Sequence, residues 1–147
     1  MFILILMTKI LFLCTGNSCR SQMAEGFART LKSNRFEAYS AGIETHGLNL
    51  NAVQVMAEVG IDISAQQSTH VDQLRHIDFD WVVTVCDHAA EQCPIFSGRA
   101  RVVHRAFDDP PKLAQNARSE EEALGAYRRV RDEIGAYIET LPEGLAD

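Results

Sequence analysis

In the stretch Cys14-Thr-Gly-Asn-Ser-Cys-Arg20-Ser21, a nucleophile, five spacer residues and an arginine stand in a row. A short loop curling into a helix turns several backbone N–H groups inward, where they and the positive helix end bind a tetrahedral anion. Thr15, Gly16, Asn17, Ser18 and Cys19 would form that cradle, with Gly16 and Asn17 tolerating the left-handed backbone such a nest needs. Arg20 can grip two anion oxygens in a fork, more specifically than a lysine would. The helix N-terminus, Arg20 and the Ser21 hydroxyl all stabilise a thiolate, so Cys14 is expected to titrate below the roughly 8.5 of a free thiol. The competing reading makes Cys14 a buried strand-end residue and Arg20 a solvated charge. The whole eight-residue pattern, lying between a strand and a helix, favours the chemical reading. Cys19 reads as a small loop filler.

Positioning that loop requires a strand before it and a helix after it. Ile10, Leu11, Phe12 and Leu13 form an apolar run, so Thr8 to Cys14 reads as a buried strand. Met23, Ala24, Phe27, Ala28 and Leu31 recur at helical spacing over 20–32. A second strand is expected over 36–43, followed by a helix capped at Asn51 and stopped at Gly60. Residues 64–78 read as a short helix and loops. Trp81 to Val85 gives another buried strand ending at Cys86, and Arg101 to His104 a fourth. Ser119 with Glu122 matches a capping box ahead of a long final helix striped by Leu124, Tyr127, Val130 or Arg131, Ile134, Ile138 and Leu141, its charged residues taken as the solvated face. Alternating strands and helices predict an α/β single domain with a parallel sheet covered on both sides. In such sheets the site lies at the carboxyl ends of the strands, where Cys14 and Cys86 both fall.

The composition narrows the function. A chain of 147 residues, 46% hydrophobic, supports one core. A net charge of -6 without clustered Lys and Arg argues against nucleic acid as a partner. Met1-Phe-Ile-Leu-Ile-Leu-Met7 lacks a basic leader and a cleavage site and is too short to span a bilayer. Residues 1–7 are therefore expected to be an extension ahead of a domain over 8–147, with Met7 an alternative start. Four cysteines without an export signal suggest the cytoplasm rather than a secreted disulfide framework.

The loop, continued through Gln22-Met-Ala-Glu-Gly26, resembles the active-site loop of thioredoxin-coupled arsenate reductases, which share the fold of low-molecular-weight protein tyrosine phosphatases. The resemblance runs on through Tyr39-Ser-Ala-Gly-Ile-Glu-Thr-His-Gly47, Glu58-Val-Gly-Ile-Asp-Ile-Ser64, Val83-Thr-Val-Cys86, Cys93-Pro94, Phe107-Asp-Asp-Pro110 and Arg129-Val-Arg-Asp-Glu-Ile-Gly135. It implies a four-stranded parallel sheet flanked by helices, with Asp109 as general acid. The chemistry agrees, because an oxygen leaving arsenic needs a proton. It further implies arsenate as substrate and a relay of three thiols. Cys14 forms a thiol-arsenate adduct, Cys86 attacks Cys14 as arsenite leaves, and Cys93 attacks Cys86 across a polar segment able to unwind. Thioredoxin would then reduce the Cys86–Cys93 disulfide. Arsenic(V) takes two electrons from thiols and phosphorus(V) does not, so only a reductase needs the second thiol.

Two positions depart from the family pattern. Asn17, Glu25 and Ser40 match a potassium site found in some members, but Thr69 stands where the family has Asp, so no potassium or other cofactor is predicted. Asn49-Leu50 replaces the family's Asn-Pro. Zinc held by Cys86, His88 and Cys93 fits no usual spacing, and His46, His70, His76 and His104 read as surface or loop residues. The rival functions are a tyrosine phosphatase, disfavoured by Pro111 and Lys112 where tyrosines are usual, and a non-enzymatic redox sensor, which would leave Asp109 without purpose.

Overall fold

The computed structural model describes residues 7–96 and 98–146. The expected extension at residues 1–7 therefore lies outside the described residues, apart from Met7. Four strands, β1 (Thr8–Cys14), β2 (Phe36–Gly42), β3 (Trp81–Thr84) and β4 (Arg101–His104), form one parallel sheet in the order β2-β1-β3-β4. Ile10, Leu11, Phe12 and Leu13 are fully buried on the central strand, each worth roughly 1.5–3 kcal/mol of apolar burial. The helices are α1 (Arg20–Leu31), α2 (Leu50–Glu58), α3 (Asp87–Glu91), α4 (Pro110–Leu113) and α5 (Glu120–Glu139). Three short 3-10 turns accompany them.

The chain winds from β1 to β2 on one side, then returns to place β3 on the other side of β1. That reversal opens a crevice outside the carboxyl ends of β1 and β3. Register does the rest: Leu13 pairs with Thr84, and the Val85 N–H donates to Leu13 O at 2.9 Å. Cys14 and Cys86, 72 positions apart by numbering, thus leave adjacent strands side by side.

α1 and α5 pack on each other, as do α2 and α5. At the α1–α5 crossing, a Cβ on Gly135 would lie 2.9 Å from the Phe27 ring, so glycine sets how closely the helices approach. Two expectations need correction. Asn49, not Asn51, caps α2, its side chain accepting from the Ala52 N–H at 3.0 Å. Both are asparagines, and the one that also packs against the site is used. The capping box at Ser119 is half formed: Ser119 accepts from the Glu122 N–H, while the Glu122 carboxylate turns to the Arg118 N–H. Arg131, offered with Val130 for one stripe position, faces inward together with it. It is buried on α5, donating to Val55 O at 3.0 Å and to Glu58 Oε1 at 2.8 Å, and so supplies the end of α2 with a donor that α2 itself lacks.

Candidate active site

The loop between β1 and α1 is held by buried polar contacts. Asn17 is the one non-glycine residue with positive φ among the described residues, at 48°. Its Nδ2 donates to Ser21 Oγ at 2.8 Å and its Oδ1 accepts from the Thr69 N–H at 2.8 Å. Gln22, fully buried, donates to Asn17 O and Gln67 O. These bonds fix a backbone that the local sequence alone would not hold.

On its other side the loop is bonded to the segment after β2. The N–H groups of Ile43, Glu44, His46 and Asn49 donate in turn to the carbonyls of Cys14, Thr15, Gly16 and Ser18, at 2.8–3.1 Å. Gly16 is needed here for closeness, not for backbone sign, since a Cβ would lie 2.2 Å from His46 Nδ1.

Inside, Cys14, Thr15, Gly16, Ser18, Cys19 and Arg20 line a cavity of about 280 Å³, closed further by His46, Asp109 and Pro111. Asn17 and Ser21 are not among its walls, and their side chains brace the loop from behind. The Arg20 guanidinium is mostly buried. Nη1 donates to Phe107 O at 3.0 Å, Nη2 lies 3.6 Å from Asp109 Oδ1, and Nε is a buried donor with no partner among the described residues. A buried N–H left without an acceptor is costly, and an oxyanion in the cavity would supply one. The loop carrying Asp109 is anchored by that same Phe107 carbonyl and by the Phe107 N–H to Val85 O at 3.0 Å.

The thiols differ from expectation. Cys14 and Cys86 leave adjacent strands and shift each other's ionisation. The neighbouring Cys86, then burial, raises the Cys14 thiol above its ordinary value, with Arg20 pulling the other way. Cys86 is lowered to about 5, first by Cys14. The Thr15 hydroxyl, 3.3 Å from Cys86 Sγ, and the Ala89 N–H at 3.4 Å, in the first turn of α3, add to this. The surroundings of Cys86 thus favour its thiolate, while burial opposes that of Cys14, for which the loop motif suggested a lowered value. Cys19 is pushed up to about 12 by burial and then by Asp109, which suits a filler.

Cys93 stands apart, half-buried beyond α3, its thiol raised by burial. Cys86 precedes α3 and Cys93 follows it, so at 1.5 Å per residue the two Cα atoms lie about 10 Å apart, too far for a disulfide. At the potassium-like position, the Glu25 carboxylate is shared between Ser40, at 2.6 Å, and Arg29, at 3.0 Å. Among the described residues no group of three or more His, Cys, Asp or Glu side chains is placed to hold a metal ion.

Residues 9–146 match the low molecular weight phosphotyrosine protein phosphatase family. The chain belongs to that family. Within it, a relative from Halalkalibacterium halodurans named arsenate reductase is 52% identical, over 91% of this chain and 94% of its own length. One of the same name from Bacillus subtilis is 51% identical over the same shares. Among solved structures, an arsenate reductase in the oxidized state superposes with a TM-score of 0.74 at 32% identity, covering 92% of this chain and 96% of that one. A tyrosine phosphatase from Erwinia amylovora has a TM-score of 0.71 at 18% identity, over 97% and 95% of the two chains, and so shares the fold. For this family member, the structure brings the expected Cys14, Cys19, Arg20 and Asp109 to one cavity and leaves Cys93 outside it, while His46 is a cavity wall that sequence reasoning missed. It also missed Gln22 as a brace, whose signal was a glutamine at an apolar-face position one turn into α1.

Proposed function

We propose that this chain reduces arsenate to arsenite through Cys14, Cys86 and Cys93, with thioredoxin regenerating the final disulfide. The observation that carries the reading is the second buried thiol, Cys86, which leaves the strand beside the loop cysteine and is approached by the Thr15 hydroxyl and the Ala89 N–H. A phosphatase has no use for it. The high identity to proteins named arsenate reductase supports the same conclusion.

In this mechanism the oxyanion is bound by the loop N–H groups and by Arg20 through its free Nε. The Cys14 proton passes to Cys86 as Cys14 attacks arsenic. A sulfur–arsenic bond forms, an arsenic–oxygen bond breaks, and Asp109 protonates the departing oxygen. Cys86, which re-ionises readily at neutral pH, then attacks Cys14 Sγ. A disulfide forms, the sulfur–arsenic bond breaks, and its electron pair stays with arsenic as arsenite. Cys93 reaches Cys86 only if α3 opens. All four cysteines are free thiols, which suits the reducing cytoplasm, and none of the described helices is long and apolar enough to cross a membrane.

The test couples purified protein to arsenate, thioredoxin, thioredoxin reductase and NADPH. Steady arsenate-dependent NADPH oxidation is expected, reduced to a single round in Cys93→Ser. Absence of turnover alongside rapid aryl phosphate cleavage would make the protein a phosphatase. The same Cys14, Arg20 and Asp109 geometry serves phosphate esters, so some phosphatase activity accompanies the reductase.

A further inference from the structure

His46 is a titratable side chain on the cavity wall that the mechanism above leaves unused. It is rigidly placed. Its own N–H is bonded to Gly16 O at 2.9 Å, and the ring packs against Gly16 with Nδ1 as the nearest atom. Glu44 Oε2 lies 2.6 Å from Nε2, which orients the ring and offsets the charge of an imidazolium. The other titratable groups on the cavity wall are Cys14, Cys19, Arg20 and Asp109. About half of the side chain is exposed, so the ring can regain a proton from water.

We infer that His46, held by Glu44, is a second acid of the site, which protonates arsenite as it leaves Cys14. This rests on the reductase reading and deepens it. When Cys86 attacks Cys14, the singly protonated adduct and the Cys86 thiolate yield the disulfide and the dianion HAsO3²⁻. Arsenite is neutral As(OH)3 at neutral pH, so the departing group takes up two protons. The His46 imidazolium gives one and water gives the other, and the neutral ring is then reprotonated from solvent. Imidazole suits this role because its ring can give up a proton and take another back from water. Asp109 has already given its proton in forming the adduct. Phosphate transfer makes no such demand, because phosphorus keeps its oxidation state and leaves by attack of water.

The experiment mixes reduced protein with arsenate in the absence of reductant, quenches at intervals, and follows the Cys14 adduct and the Cys14–Cys86 disulfide by intact mass. Wild type is compared with His46→Gln, and aryl phosphate cleavage is measured for both. The expected result is that His46→Gln converts adduct to disulfide more slowly by on the order of tenfold. Adduct should accumulate, and aryl phosphate cleavage should be affected far less. Conversion at the wild-type rate, or equal losses in both reactions, would overturn the proposal. If the wild type itself forms no arsenate-dependent disulfide, the reductase reading fails first, and the role of His46 falls with it.

Discussion

Cys14 and Cys86 are shifted in opposite directions by their shared surroundings, and this bears on how stability responds to pH. Cys86 is depressed to about 5 from its ordinary 9.0. Between these values the unfolded chain binds the extra proton, so this contribution is present in full above 9.0 and is lost as pH falls toward 5. Cys14 is raised, so its contribution is present below its ordinary value and is lost as pH rises above it. Stability from the pair should therefore climb from pH 5 to about 9 and decline beyond. Urea unfolding across that range should show the climb in wild type and a flatter profile in Cys86→Ser. A Cys86→Ser profile as steep as wild type would place the thiolate elsewhere. At this scale the sequence revealed which residues matter and little of how they share charge. Spacing alone exposed Cys14 and Arg20, because loop and helix are contiguous. Which thiol is ionised, and that His46 reaches Gly16, depend on contacts between strands that no local pattern encodes.

Helices and strands were the most legible part, since each announces itself by period. The apolar run Ile10 to Leu13 and the stripe from Leu124 to Leu141 needed no tertiary information. Arg131 did. Its position on the stripe fits an apolar residue, and only the end of α2 beside it explains the guanidinium. Removing that donor leaves Val55 O buried without its partner. Arg131→Met should therefore lower stability by about 1–3 kcal/mol in urea unfolding while leaving the KM for oxyanion unchanged. A KM that rose with the stability loss would mean that the α2–α5 tie also shapes the site. Such coupling has a route, because the segment leading into α2 is bonded through Asn49 to Ser18 of the loop, and Asn49 Nδ2 reaches Tyr127 of α5.

The molecule as a whole carries six excess negative charges, yet its site is built for an anion, so the attraction has to be local. Arg20 Nε and the loop amides supply it, and an oxyanion that pairs with them binds the folded state alone. Phosphate at a hundredfold excess over its Kd should add about 2.7 kcal/mol. For a chain of this size that raises Tm by roughly 5 to 10 °C. Calorimetry with and without phosphate checks this, and in Arg20→Lys the gain should shrink to a fraction. An equal gain in the variant would locate the anion outside the loop. The sheet order that opens the site was legible only as a class, because the alternation of elements predicts a parallel sheet but not which strand sits centrally. One further consequence belongs to α3. On the proposed relay, its helical turn would have to open before its two flanking sulfurs could bond, so the backbone there would record the redox history of the last turnover, and a partner bringing electrons would tell a spent molecule from a fresh one by shape.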